Sequence, residues 1–134
     1  MTATVPSGAT TGKITVTTPG GTATSTTKFK VEGAVTKHSR TVTLALKKHL
    51  VASGTVKVAD GFNACRNNVT VKIQRLKNGA WTGVGSDTTA SNGNYKVNLN
   101  DKTGKYRAIA KKKTLNGGDD ICVADTSKTV KHTH

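Results

Sequence analysis

The sequence predicts an all-β protein whose larger part is an antiparallel β-sandwich. β-branched residues are abundant, glycine is frequent and only two prolines occur in the chain. Such a composition favours short strands joined by turns. Apolar and polar residues alternate with a period of two in several short runs. Turn signals separate these runs at intervals of roughly 8–12 residues, which is typical of a sandwich.

The first part of the chain predicts three short strands between Thr2 and Val31. Ile14 to Thr17 alternates between apolar and polar side chains, Pro19-Gly20-Gly21 is a strong turn signal, and β-branched alternation resumes from Thr22. Three strands are too few to bury a core between two sheets. We therefore expect this segment to be part of a larger module.

Four features of this segment stand out: Val5-Pro6, Gly12, the run from Val16 to Gly21, and Phe29 to Val31. In these positions the segment resembles the C-terminal half of an IPT/TIG domain, an Ig-like fold of bacterial surface proteins. The resemblance implies a partial Ig-like module over about residues 1–33, because the earlier strands of such a domain have no counterpart here. In one interpretation, upstream sequence completes the module and Met1 is an internal or artificial start. In the other, strands of a neighbouring module complete it.

A polar hinge is predicted over residues 34–40, followed by about seven strands over residues 41–130. The clearest strand runs from Val69 to Arg75. Asn78-Gly79 predicts a type I′ hairpin and Asn92-Gly93 a second hairpin. Gly54 interrupts its strand and predicts a bulge or bend.

Towards the C-terminus, residues 111–120 predict a polar loop, residues 121–130 a last strand, and residues 131–134 a flexible tail. Tyr106 follows a turn that ends at Gly104, which predicts a contact like a tyrosine corner.

Two consecutive strand motifs are present, Gly93-x-Tyr95-x-Val97-x-Leu99 and Gly104-x-Tyr106-x-Ala108. They resemble those of bacterial Ig-like and transthyretin-like sandwiches, including carboxypeptidase-regulatory-like and collagen-adhesin B-type modules. The resemblance covers about residues 41–130. It implies an Ig-like or transthyretin-like fold and a structural or adhesive role beside neighbouring Ig-like modules.

The two cysteines, Cys65 and Cys122, lack the spacing of a metal site, and no metal or cofactor is predicted. In a small β-rich chain we expect them to form one disulfide, with two unpaired buried thiols as the alternative. The bridge would close a loop of roughly 58 residues, worth about 4 kcal/mol in the chain-entropy model. A disulfide indicates a secreted or cell-surface protein.

The net charge of +14 is the strongest compositional signal for binding. Residues 1–33 hold three basic and one acidic residue, which leaves 18 of the 21 basic and six of the seven acidic residues to the rest. Such an excess attracts polyanions, and anionic cell-wall polymers or polysaccharides are the expected partners. A solvated basic surface without a partner is the alternative. The predicted polyanion-binding residues are Lys72, Lys96, Arg107, Lys111, Lys112 and Lys113. We expect Lys72, Lys96 and Arg107 to point outward from neighbouring strands and to share one patch.

The sequence predicts a non-enzymatic protein, because no nucleophile, base and orienting group stand in a recognisable arrangement. Trp81 follows the Asn78-Gly79 turn and is a candidate sugar platform, with core packing as the alternative. An accessory carbohydrate-binding module is therefore a second possible function. Sequence-specific nucleic-acid binding is disfavoured for lack of a recognition helix or stacking aromatics. No stretch approaches the ~18 apolar residues of a membrane span.

Overall fold

A computed structural model describes residues 4–6, 8–31 and 33–134 of the chain. It divides into two compact units, Met1–Ala34 and Val35–His134. The parts of the predicted first strand and of the IPT/TIG-like segment that fall on residues 1–3, 7 and 32 lie outside the described residues.

The N-terminal unit is built around one β-hairpin. Strands β1 (Thr15–Thr18) and β2 (Gly21–Thr24) pair antiparallel across the predicted turn at Pro19 and Gly20. Gly12 and Phe29 form an isolated antiparallel bridge outside the hairpin. The closing strand predicted from Thr22 to Val31 is thus shorter than expected. Among the described residues of this unit none is buried, which agrees with the expectation that its strands are too few to enclose a core.

The C-terminal unit contains twelve short strands and three 3-10 turns, and no α-helix. The strand count exceeds the predicted seven because the connections also pair. The 3-10 turns are Lys48–Leu50, Asn63–Cys65 and Asn116–Gly118. The strands are β3 (Thr36–His38), β4 (Arg40–Val42), β5 (Ala45–Lys47), β6 (Val51–Val58), β7 (Thr70–Lys77), β8 (Ala80–Thr88), β9 (Asn94–Asn98), β10 (Gly104–Ala110), β11 (Lys113–Leu115), β12 (Asp120–Cys122), β13 (Asp125–Thr126) and β14 (Val130–His132).

These strands form an all-β sandwich, as the sequence predicts. One sheet has five strands in the order β13-β10-β7-β8, with β14 also paired to β10. The facing sheet has four strands in the order β4-β6-β5, with β9 also paired to β6. A small third sheet has the order β11-β12-β3, in which β3 and β12 run parallel.

The core lies between the two larger sheets because alternate residues of each strand point inward. Inward side chains from both sheets join one cluster, and the largest that are fully buried include Tyr106, Ile73, Val71 and Val56. The predicted strand around Val69 to Arg75 follows this alternation, with Val71 and Ile73 inside and Thr70 and Lys72 exposed.

The hairpin between β7 and β8 confirms the prediction from Asn78-Gly79. Both residues have positive φ, 50° and 79°, which a type I′ turn requires. Tyr106 also makes the predicted corner contact, because its hydroxyl donates a hydrogen bond to the carbonyl oxygen of Lys102 at 2.5 Å.

The predicted disulfide between Cys65 and Cys122 is present, with the two Cα atoms 5.3 Å apart. Cys65 lies in the turn before β7 and Cys122 lies in β12, and both are fully buried. The bridge therefore ties the third sheet to a connection of the sandwich.

Several local expectations differ from the structure. The Asn92-Gly93 turn does not close a hairpin: it links β8 to β9, and β9 pairs with β6 of the facing sheet. A Cβ on Gly93 would lie 2.2 Å from the carbonyl oxygen of Val56, so the glycine is needed for close approach of two backbones.

Gly54 also serves close packing and makes no bulge. Strand β6 runs through it, and a Cβ there would lie 2.0 Å from the carbonyl oxygen of Thr43. The sheet irregularity lies instead opposite Ile73 and Gln74, where the register with β8 shifts.

The predicted hinge, loop and tail all contain strand residues. Residues 34–40 hold β3 and the start of β4, and residues 111–120 hold β11 and the start of β12. Residues 130–132 form β14, in which Lys131 is paired with Lys105 of β10. Exposed backbone groups at the edges of β10 and β12 accept these partners, which composition alone does not reveal.

Candidate functional site

The predicted basic residues do not share one surface. Lys72 on β7 and Arg107 on β10 lie on neighbouring strands of the five-stranded sheet, on the face opposite Val71 and Ala108. Lys96 lies on β9 and pairs with Ser53 of β6, so it belongs to the facing sheet. The expectation that Lys72, Lys96 and Arg107 form one patch is therefore wrong, because β9 crosses to the other sheet.

The lysine run from Lys111 to Lys113 lies where β10 ends and the third sheet begins. Lys111 and Lys112 are exposed, whereas Lys113 is half-buried and pairs with Cys122 in the ladder of β11 and β12. The backbone carbonyl of Lys111 accepts a hydrogen bond from the guanidinium of Arg40. These lysines edge the third sheet and do not extend the face that carries Arg107.

Two further lysines lie on that face. Lys105 on β10 and Lys131 on β14 are register partners and are both exposed. We call Lys72, Lys105, Arg107 and Lys131 the basic face.

The strands of the five-stranded sheet carry no carboxylate on the basic face. Their two aspartates, Asp87 and Asp125, are register partners of the inward residues Val71 and Ala110. Asp87 accepts a hydrogen bond from the backbone N–H of Lys96, and Asp125 from that of Val42. Both carboxylates are thus used to join the two sheets, which leaves the outer face purely cationic.

Trp81 lies on the same face and is half-buried. The guanidinium carbon of Arg107 lies 4.2 Å from the centroid of the indole ring, which is a cation–π contact. Arg107 Nε donates to Gln74 Oε1 at 2.9 Å. The arginine is therefore held in place while its remaining N–H groups are available. The ring face under the guanidinium is covered, which disfavours stacking of a neutral sugar there.

A cavity of about 270 Å³ opens at one end of the sandwich, between the end of β7 and the loop after β9. Its basic lining residues are Arg75, Lys77 and Lys102, and Tyr106 also lines it. Arg75 Nη2 donates to the carbonyl oxygen of Thr103 at 2.7 Å. Arg75 is the register partner of the buried Tyr106 and Lys102 lies in the loop between β9 and β10, so the cavity is separate from the basic face.

His38 is a buried ionisable group that the sequence places in the predicted hinge. Its Nδ1 lies 2.6 Å from Asp60 Oδ2 and its Nε2 lies 2.9 Å from Asp120 Oδ1. Its ring stacks on Phe62 with centroids 4.0 Å apart. No sequence signal identifies this cluster, because its partners come from positions 22 and 82 residues away.

The environment of His38 favours its charged form. The hydrogen bonds that His38 makes to the carboxylates of Asp120 and Asp60 raise its pKa above 6.5. The same hydrogen bonds lower the pKa of Asp60 and of Asp120 below 3.8. Since both ring nitrogens are engaged by carboxylates, the imidazole is not placed to take a proton from a nucleophile. The cluster therefore has the chemistry of a structural ion pair.

Three further side chains meet where β14 joins the five-stranded sheet, beside the start of β10. Asp101 Oδ1 lies 2.6 Å from His132 Nε2 and 3.7 Å from His134 Nδ1. Within the described parts of the chain, these three side chains are the histidine and aspartate group whose ligand atoms lie close enough together, within 4.8 Å of one another, to hold a metal ion.

Comparisons with models of protein families, with curated proteins and with solved structures find no match. The IPT/TIG-like and transthyretin-like resemblances therefore stay predictions. Within the described residues, no helix is long and apolar enough to cross a bilayer.

Proposed function

We propose that this chain is a non-catalytic extracellular module of a bacterial secreted or surface protein, with a structural, spacer or adhesion role. Its basic face would contact anionic cell-wall polymers. The buried disulfide supports an oxidising compartment, since such bonds persist outside the cytosol. The bacterial and modular parts of the proposal come from the two sequence resemblances described above.

One observation carries the binding proposal: four cations share one sheet face from which both aspartates of the sheet are turned away. A surface of one charge sign raises the local concentration of a polyanion and speeds its association. Arg107 adds directed N–H donors, because Trp81 and Gln74 fix its guanidinium. An arginine held in this way loses little side-chain entropy when it binds a phosphate or carboxylate.

The outer face of the facing sheet offers a matched control. It carries Lys47, Lys57 and Lys96, all exposed. We compare the triple variant Lys72→Gln/Lys105→Gln/Lys131→Gln with the triple variant Lys47→Gln/Lys57→Gln/Lys96→Gln. Both remove the same charge from exposed strand positions.

The experiment is a titration with poly(glycerol phosphate), the chemistry of an anionic wall polymer, at several salt concentrations. The basic-face variant should bind more weakly, and its logarithmic salt slope should be shallower by about one unit per lysine removed. The control variant should retain most of the binding. Equal losses in the two variants would refute the assignment to this face.

A neutral glucan tests the alternative function as an accessory carbohydrate-binding module. Our proposal expects no binding of the glucan at about 0.5 M salt, where exposed charges are strongly screened. Binding that persists there and disappears in Trp81→Ala would establish the carbohydrate platform instead, because stacking on an aromatic ring does not depend on ionic strength.

A further inference from the structure

The C-terminal edge of the five-stranded sheet brings together three potential metal ligands from two places in the chain. His132 belongs to β14 and stands opposite Gly104, the first residue of β10. Asp101 lies in the loop that leads into β10. Pairing of β14 with β10 therefore places the histidine beside the loop. The sequence predicts residues 131–134 as a flexible tail, so this arrangement arises from strand pairing.

His134 joins the group from just beyond the end of β14, two residues after His132. Their ring centroids are 5.7 Å apart in an edge-to-face arrangement. The ligand atoms of the two imidazoles and of the Asp101 carboxylate all lie within 4.8 Å of one another.

We propose that Asp101, His132 and His134 form a binding site for a divalent transition-metal ion, foremost Zn²⁺. Zinc bonds to nitrogen and oxygen ligands are about 2.0–2.2 Å long, so neighbouring ligand atoms in a tetrahedral site lie roughly 3.3 Å apart. The distances from Asp101 Oδ1 to the two imidazole nitrogens, 2.6 Å and 3.7 Å, bracket that value. An ion enters if the first contact lengthens by about 0.7 Å.

The chemistry of the ligands decides which ion binds. Two imidazoles and one carboxylate suit Zn²⁺ and its neighbours, whereas Ca²⁺ and Mg²⁺ require mostly oxygen ligands. Three protein ligands leave one tetrahedral position for water. His132 is the best fixed of the three, since its side chain is 12% exposed and its backbone belongs to the sheet.

His134→Ala is the sharpest variant because that side chain is 59% exposed and its removal should leave the fold intact. Asp101→Asn tests the carboxylate. His49→Asn is the matched control: it removes an exposed imidazole elsewhere, and asparagine tolerates the positive φ of 58° found there.

The experiment is calorimetric titration of the full chain with zinc chloride, with calcium chloride in parallel. We expect one Zn²⁺ per chain, no Ca²⁺ binding, and affinity at least about tenfold weaker in His134→Ala and in Asp101→Asn. The histidine control should bind as the original chain does. Long-range ¹H–¹⁵N spectra should show shifts of the His132 and His134 imidazoles.

Two results would overturn the proposal. Absence of saturable Zn²⁺ binding would leave a metal-free ion pair between Asp101 and His132. Binding that His134→Ala and Asp101→Asn leave unchanged would place the ion at other groups. Neither result bears on the basic face, whose test uses different residues and no metal.

Discussion

Removal of the disulfide is the perturbation whose effect the structure defines best. Cys65 and Cys122 are separated by 57 residues, and a closed loop of that length corresponds to about 4 kcal/mol of unfolded-state entropy at 25 °C. The double variant Cys65→Ala/Cys122→Ala should lower the free energy of unfolding by about that amount. A domain of this size is stable by about 5–15 kcal/mol, so the loss is a large share.

The assay is urea unfolding followed by the fluorescence of Trp81, the single tryptophan of the chain. In thermal unfolding, the melting temperature should fall by about 20 °C, a value obtained from the usual entropy of unfolding per residue. The reduced original protein is the control, because it keeps both sulfur atoms and isolates the loss of the covalent link. A loss below about 1 kcal/mol in both samples would refute the entropic reasoning.

Three further predictions concern the fold. Stability should be greatest between about pH 4 and pH 6.5. Because its pKa is raised, His38 stabilises the fold below its unfolded value of 6.5, and this contribution is lost as pH rises through the folded value. Because their pKa values are lowered, its two aspartate partners stabilise the fold above 3.8, and this contribution is lost as pH falls. In His38→Asn the urea unfolding midpoint should therefore depend less on pH. An unchanged pH profile would contradict the stabilising role of the His38 ion pairs. Gly54→Ala should lower the free energy of unfolding by about 3 kcal/mol, because the added Cβ would overlap the Thr43 carbonyl. Gly83→Ala is the control: no atom lies within 4 Å of its Cβ, so it should leave the free energy of unfolding unchanged or raise it slightly in the same assay. Tyr106→Phe should cost about 1 kcal/mol by loss of the corner hydrogen bond, and equal stability would show that the bond contributes nothing.

Local patterns in the sequence predicted those parts of the fold that depend on neighbouring residues. The alternation around Val71 and Ile73 marks which side of β7 is buried. Asn78-Gly79 defines a hairpin because both residues tolerate positive φ. Asn92-Gly93 carries the same signal and yet connects two sheets, since a turn motif does not specify which strand the next segment pairs with.

The candidate binding residues show the same division. Alternation correctly predicted that Lys72 and Arg107 point outward, and composition showed that the chain is strongly basic. Whether two outward lysines share a face depends on sheet membership, which separated Lys96 from the others. Lys131 joins this face only because β14 pairs with β10, whereas Lys105 stands two residues before Arg107 on β10 and follows from alternation alone.

By itself, the sequence determined the all-β class, the pairing of the two cysteines and the cationic character of the chain. These follow from residue type and short-range periodicity, which are local properties. Tertiary structure alone decided the composition of the basic face, the burial of His38 between two aspartates, and the meeting of Asp101 with His132 and His134. Each of these depends on contacts between residues far apart in the chain, and such contacts are fixed by how strands pair between and within sheets.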